Sequence, residues 1–171
     1  MVIDYTFVIF LMMCALSDLM FRKVYNAIVL PALLLGLGLN LMYHGTAGLA
    51  WSLLGAAAGF AFLFPAYLLG GVGAGDVKFL AACGALVGLK FLAWGTLYGA
   101  VIGGIYSIIL LVVNRKALQT LKEVFTGLFL FLTLRSRESI NFDKGKSIHI
   151  PYVVFLSAGM LVHWLEVSGV K

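Results

Sequence analysis

One long stretch of this chain, residues 24–75, contains no Asp, Glu, Lys or Arg. Over all 171 residues, 63% are hydrophobic and only 11% are charged, and the mean hydropathy is +1.07. So few polar side chains cannot cover the surface of a water-soluble domain. The sequence therefore predicts an all-α polytopic membrane protein, with a single membrane-embedded domain over residues 1–171.

The apolar segments give an expected number of membrane crossings, because a spanning helix needs about 20 mostly apolar residues. Six segments approach that length: 5–21, 27–43, 47–69, 77–89, 91–113 and 150–167. The fourth is short, and we expect it to span with Lys78 and Lys90 reaching the two interfaces. The apolar body and basic ends of 116–134 predict a helix on the cytoplasmic membrane surface, between the fifth and sixth spans.

Basic residues fall on alternate connections between these segments, as the positive-inside rule describes. They follow the first segment at 22–23, lie between the third and fourth at Lys78, and gather in the loop at about 114–149. This pattern predicts that both termini are outside and that Asp18 and Asp76 share the cytoplasmic membrane face. The net charge of +5 is then a result of topology, and we expect no nucleic-acid partner.

Two acids stand isolated beside apolar segments, Asp18 near the end of the first and Asp76 directly behind a glycine-rich stretch. A carboxylate in hydrocarbon is costly, so such an acid indicates a functional site. Two carboxylates brought together share a proton, and one can then act as a base on water while the other acts as an acid. The sequence therefore predicts aspartic-protease chemistry, which needs no metal and no cofactor.

Other interpretations of these residues are open. Asp18 has the spacing for a helix-end ion pair with Arg22, and Asp76 the position for capping the next helix, which is compatible with catalysis. A small proton- or cation-coupled transporter could use both acids, although their surroundings show no inverted repeat. We expect no metal site, because the histidines are scattered and Cys14 and Cys83 lack CxxC spacing.

Glycines at four-residue spacing in the third to fifth segments predict that these helices pack closely. They are Gly55, Gly59, Gly84, Gly88, Gly95, Gly99 and Gly103. We expect this packing to be internal, while a homo-oligomer is also compatible with it.

Two stretches resemble the motifs of the type IV prepilin peptidase family. Residues 18–26 (DLMFRKVYN) resemble its first motif, an Asp followed by a basic loop ending in Ile-Pro-Asn, although Val-Tyr stands here in place of Ile-Pro. Residues 71–78 (GVGAGDVK) resemble its second motif, GxGDxK. The resemblance implies catalytic roles for Asp18 and Asp76. It implies supporting roles for Arg22, Lys23, Asn26, Gly73, Gly75 and Lys78.

The same resemblance implies an inner-membrane aspartic endopeptidase that cleaves prepilin leaders after a glycine at the cytoplasmic face. Larger members of the family carry an N-terminal domain with paired CxxC motifs and also N-methylate the mature pilin. This sequence has no paired CxxC, so we expect no methylation. Its size is similar to that of the small branch serving tight-adherence (Flp-type) pili, and to that of archaeal preflagellin peptidases. The expected partners are a prepilin or preflagellin-like substrate and the lipid bilayer.

Overall fold

A computed structural model of the chain describes residues 2–68, 72–113 and 152–169. These residues form four helices: α1 (Val2–Phe21), α2 (Asn26–Leu68), α3 (Ala74–Val113) and α4 (Tyr152–Gly169). Each is long and apolar enough to cross a membrane, and no strand occurs among the described residues. The all-α membrane prediction is thus confirmed. The predicted helix at 116–134 and the basic loop at 114–149 lie outside the described residues.

The chain forms two compact units. The first comprises residues 1–103 and 151–171, and the second comprises residues 104–150. Within the second unit, the structure describes only the last part of α3, residues 104–113. Both isolated aspartates belong to the first unit, as does the hydrophobic core that the described residues form.

Two glycines interrupt the long helices. Gly45 in α2 has φ 63° and ψ −154°, and Gly88 in α3 has φ 76° and ψ 173°. Glycine adopts positive φ without the steric penalty that a Cβ atom would bring. Each long helix therefore consists of two halves: 26–44 and 46–68 in α2, and 74–87 and 89–113 in α3. Gly45 falls between the segments predicted at 27–43 and 47–69, and Gly88 falls just before the predicted boundary at Lys90.

The chain turns sharply at Gly45. Gly48, just after the break, packs against the backbone of Asn40 and the side chain of His44. In a straight helix the backbones of residues 40 and 48 would lie about 12 Å apart along the axis. The two halves of α2 therefore fold toward each other, and both contact the first half of α3.

Polar side chains of α2 satisfy the end of the first half of α3. The break at Gly88 deprives the preceding carbonyls of their helical donors. Asn40 Nδ2 donates to the carbonyls of Ala85 (3.1 Å) and Leu86 (3.3 Å), and Ser52 Oγ donates to the carbonyl of Ala85 (2.5 Å). Because a buried carbonyl without a partner is costly, these donors stabilise the end of this half of the helix.

Small residues bring α2 and α3 into backbone contact. Gly55 lies against the backbone of Gly84, and Gly59 lies against the backbone of Leu80 and Ala81. A methyl group at either glycine of α2 would overlap backbone atoms of α3. Close packing between the third and fourth predicted segments is confirmed, and it is internal to the chain.

The later glycines of α3 have a different partner from the one predicted. Gly95 packs against Met160 of α4, and Gly99 packs against Leu156 and Gly159 of the same helix. Gly95 and Gly99 therefore allow close packing against α4, whereas the prediction had them pack within the third to fifth segments. The sequence could not reveal this pairing, because glycine spacing identifies a close interface without naming the opposite helix.

Helix α1 packs against α2 and α4. Its buried residues are spaced three or four apart, as expected for one helical face: Phe7, Phe10, Leu11, Cys14, Ser17 and Asp18. The Phe7 ring meets the edge of Phe91 at 5.4 Å between centroids, and the Phe10 ring stacks on Phe79 at 5.6 Å. The same buried face carries Asp18 into the interior.

Candidate active site

Asp18 lies in the last turn of α1 and is only 6% exposed. The helix closes directly after it: the amide of Arg22 donates to the Asp18 carbonyl at 2.8 Å, and Arg22 has φ 51°. A residue with positive φ at this place is a common way to end a helix. The termination frees the chain to turn toward α2 while the Asp18 side chain stays buried.

The first turn of α4 faces the Asp18 carboxylate. The backbone amides of Val153 and Val154 lie beside it, and free amides at a helix N-terminus favour a nearby anion. Asp18 Oδ2 is buried and has no partner among the described residues. Among the described residues, no ion pair joins the buried Asp18 to the exposed Arg22. The alternative of an ion pair between these two residues at the helix end is therefore wrong.

Asp76 lies in the first turn of α3 and is half-buried. Its Oδ2 accepts a hydrogen bond from the amide of Gly73 at 3.0 Å, and its own amide donates to the Gly73 carbonyl at 3.1 Å. A side chain that reaches back to the amide preceding the helix is one half of a capping box. The interpretation of Asp76 as a first-turn capping acid is confirmed, and it leaves Oδ1 for another partner.

The two acids lie in the same compact unit. The segments that follow Asp18 and precede Asp76 are in contact, because Val24 packs against Gly75. Two carboxylates brought together favour a shared proton over two full negative charges. Cys14, one turn before Asp18, and Cys83 are free thiols buried in the adjoining core, as their interpretation as packing residues predicts.

The supporting residues of the two motifs also meet. Lys78 Nζ donates to Asn26 Oδ1 at 3.1 Å, which joins the first turn of α3 to the start of α2. Gly75 packs against Val24, and a Cβ atom there would lie 3.2 Å from the Val24 Cβ. The remaining motif residues, Arg22, Lys23 and Gly73, are exposed.

Two parts of this arrangement were missed from the sequence. Ser17 Oγ donates to the Lys23 carbonyl at 2.7 Å, although its only sequence signal was its place beside Asp18. The amides of Val153 and Val154 come from a helix more than a hundred residues further along the chain. Pro151 signals the start of that helix, but no sequence pattern indicates which side chain the helix faces.

A second group of titratable side chains lies further along α4 and on α3. His163 Nδ1 is 3.2 Å from Glu166 Oε2, and the Tyr98 hydroxyl donates to the same oxygen at 3.1 Å. Glu166 follows Val153 by about 20 Å along α4. Within the described ranges, no three His, Cys, Asp or Glu side chains form a group that could hold a metal ion.

Comparison with known proteins adds independent evidence. The model of the type IV leader peptidase family matches residues 5–108, which include Asp18 and Asp76. The chain is 35% identical over 116 residues to a "Prepilin leader peptidase/N-methyltransferase" from Bacillus subtilis (strain 168), an alignment covering 65% of this chain and 45% of that protein. The chain thus spans less than half the length of this relative, and no solved structure matches it significantly. The match covers most of the first unit, with both motifs inside it, and we conclude that the chain belongs to the type IV leader peptidase family.

Proposed function

We propose that this chain is a prepilin leader peptidase, an aspartic endopeptidase that cleaves the leader of a type IV prepilin after a glycine. One observation carries the proposal: the motif of Asp18 packs against the motif of Asp76, with Lys78 Nζ bonded to Asn26. Family membership and the name of the relative support the same reaction. The transporter alternative receives no comparable support.

The proposed chemistry follows from a carboxylate pair that shares one proton. The ionised carboxylate takes a proton from a water molecule, and the water oxygen attacks the carbonyl carbon of the scissile peptide. The protonated carboxyl group donates to the carbonyl oxygen, and a proton then passes to the leaving amine as the C–N bond breaks. The capping bond to Gly73 would hold Asp76 in place, and the α4 amides would hold Asp18.

We also propose six membrane crossings, with the site at the cytoplasmic face of the inner membrane. As a single straight helix, the 43 residues of α2 would extend about 65 Å, whereas the hydrocarbon layer is about 30 Å thick. The breaks at Gly45 and Gly88 therefore support separate crossings by each half of α2 and α3. The basic residues at 22–23 and Lys78, near the two acids, support the cytoplasmic face. The segment 116–134 would lie on that surface between the last two crossings.

The substrate that we propose is a Flp-type prepilin, released without N-methylation by these residues. These residues hold only Cys14 and Cys83 and no paired CxxC, which supports the absence of methylation by them. The apolar helix of a prepilin could lie in the same bilayer, which would bring its leader to the membrane surface where the two acids are proposed to lie. A preflagellin-like substrate is the alternative within the family.

The test is processing of a co-expressed candidate prepilin by the wild type, Asp18→Asn and Asp76→Asn, at matched membrane abundance. We expect both variants to lose cleavage by at least about a hundredfold, because each removes one partner of the proton exchange. Asp4→Asn is the matched control, since it makes the same change at an exposed acid of α1 and should process normally.

Processing that survives either change of the pair would refute the aspartyl mechanism. Panels of Flp-type prepilins and preflagellins would establish the substrate class by which of them is cut. The mass of the released pilin, measured with S-adenosylmethionine present, tests the absence of methylation. A gain of one methyl group would contradict that part of the proposal.

A further inference from the structure

A four-residue segment of the first motif contacts the second motif. Residues 22–25, here called the strap, run from the end of α1 to the start of α2. The strap is held by the residue before Asp18, because Ser17 Oγ donates to the Lys23 carbonyl at 2.7 Å. It also touches the residue before Asp76, because Val24 packs on Gly75. The strap therefore makes contact immediately beside both acids.

The hydrogen bond of Ser17 is unusual for a helical serine. Such hydroxyls commonly bond to a carbonyl one turn back in their own helix. Ser17 is instead buried, 7% exposed, and reaches forward past the helix end to a carbonyl six residues later. That carbonyl lies outside any helix, so the hydroxyl supplies a donor that the local backbone does not. The bond fixes the direction in which the strap leaves α1.

The end of the strap that leads into α2 is in close contact with the segment before Asp76. A Cβ atom at Gly75 would lie 3.2 Å from Val24 Cβ and 3.4 Å from the Val24 carbonyl oxygen. The next residue of the chain after the strap, Asn26, accepts a hydrogen bond from Lys78 at 3.1 Å. A shift of the strap would thus be passed to the first turn of α3, which carries Asp76.

We propose that Ser17 is a positioning residue, which sets the separation of Asp18 and Asp76 through the strap. The effect on cleavage rests on the proposed peptidase function, whereas the effect on the position of the strap does not. Ser17 does not touch the reacting atoms. Its hydroxyl fixes the position of the strap through the Lys23 carbonyl. The strap in turn fixes the position of the first turn of α3 through the contact of Val24 with Gly75.

A disulfide crosslink tests the structural part without any substrate. Val24→Cys and Gly75→Cys would place two Cβ atoms near the range of about 3.5–4.5 Å found in disulfides. The native Cys14 and Cys83 are fully buried and should not compete. The rate of oxidative crosslinking is compared in membranes between the Ser17 and Ser17→Ala backgrounds. We expect a several-fold slower reaction with Ala, and an unchanged rate would overturn the proposal.

Ser157→Ala is the matched control for the crosslink. Ser157 is 1% exposed, and its hydroxyl has no partner among the described residues. The substitution thus removes the same hydroxyl from a serine that is more deeply buried and has no described hydrogen-bond partner. The crosslinking rate should not change in this variant, and an equal slowing in both variants would count against a specific role for Ser17.

Kinetics of prepilin cleavage test the consequence. We expect Ser17→Ala to lower kcat about ten- to a hundredfold, as a misplacement near 1 Å can, with little change in KM. Ser17→Thr keeps the hydroxyl and should restore both kcat and the crosslinking rate. A normal kcat in Ser17→Ala at normal abundance would refute the positioning role. If no prepilin is cut even by the wild type, the proposed function fails while the crosslink still decides the structure of the strap.

Discussion

At the scale of single residues, Asp76 combines two tasks that can be separated by substitution. Its carboxylate caps α3 through the amide of Gly73, and it is also proposed to exchange a proton during catalysis. The amide oxygen of an Asn can still accept the capping bond, but an amide cannot replace a carboxyl group in proton transfer. Capping and catalysis should therefore respond differently to Asn and to Ala.

We predict that Asp76→Asn keeps thermal stability close to that of the wild type while cleavage is lost. Asp76→Ala should lose cleavage and also about 0.5–2 kcal/mol of stability, the usual loss on removing a helix cap. Thermal unfolding in detergent, together with a prepilin cleavage assay, measures both quantities. Equal stability of the Asn and Ala variants would show that the capping bond contributes nothing to the fold.

Residue-scale evidence also explains which parts of the site were predictable. Asp18 and Asp76 stand out in the sequence because charges are rare in apolar segments and each must have a reason to be there. The first-turn position of Asp76 follows from the glycines before it and the apolar run after it. The position of Val153 and Val154 beside Asp18 was not predictable, because helix pairing across a long separation leaves no local pattern in one sequence.

At the scale of helices, the end of the first half of α3 depends on side chains from α2. Asn40 and Ser52 both donate to the Ala85 carbonyl, one from each half of α2. Nothing in the sequence indicates this role, since a lone Asn or Ser in an apolar helix identifies neither its partner nor its direction. A carbonyl that loses one of two donors remains satisfied, whereas one that loses both is orphaned.

We therefore predict a non-additive loss of stability. Ser52→Ala alone should cost about 1 kcal/mol or less, and Asn40→Leu about 1–3 kcal/mol. The double variant should lose more than the sum of these values, by roughly 0.5–3 kcal/mol, because only then is the Ala85 carbonyl left without a donor. Denaturation of the purified protein in detergent supplies the four free energies of the cycle.

Thr96→Val is the matched control for this cycle. Thr96 is 5% exposed, and its hydroxyl has no partner among the described residues. Replacing it by the isosteric Val removes an unpaired polar atom, so stability should be unchanged or slightly higher. Strict additivity of the Asn40 and Ser52 effects would mean that the two side chains do not share the same acceptor.

At the scale of the whole molecule, the proposed topology makes opposite ends of the first half of α2 distinguishable. Lys23, in the strap, is exposed five residues after Asp18, and His44 is exposed at the break at Gly45. Six crossings with a cytoplasmic site require Lys23 to face the cytoplasm and His44 to face the outside. The native thiols of Cys14 and Cys83 are buried, which leaves a low background for cysteine labelling.

We predict that His44→Cys reacts with a membrane-impermeant maleimide in intact cells, and that Lys23→Cys reacts only after the cells are permeabilised. The reason is that each half of α2 crosses the bilayer by itself, so that the break at Gly45 reaches water. The opposite pattern would place the two acids outside and contradict cleavage at the cytoplasmic face. A His44→Cys variant that stays unlabelled under both conditions would leave the break inside the hydrocarbon layer, and the six-crossing topology would be wrong.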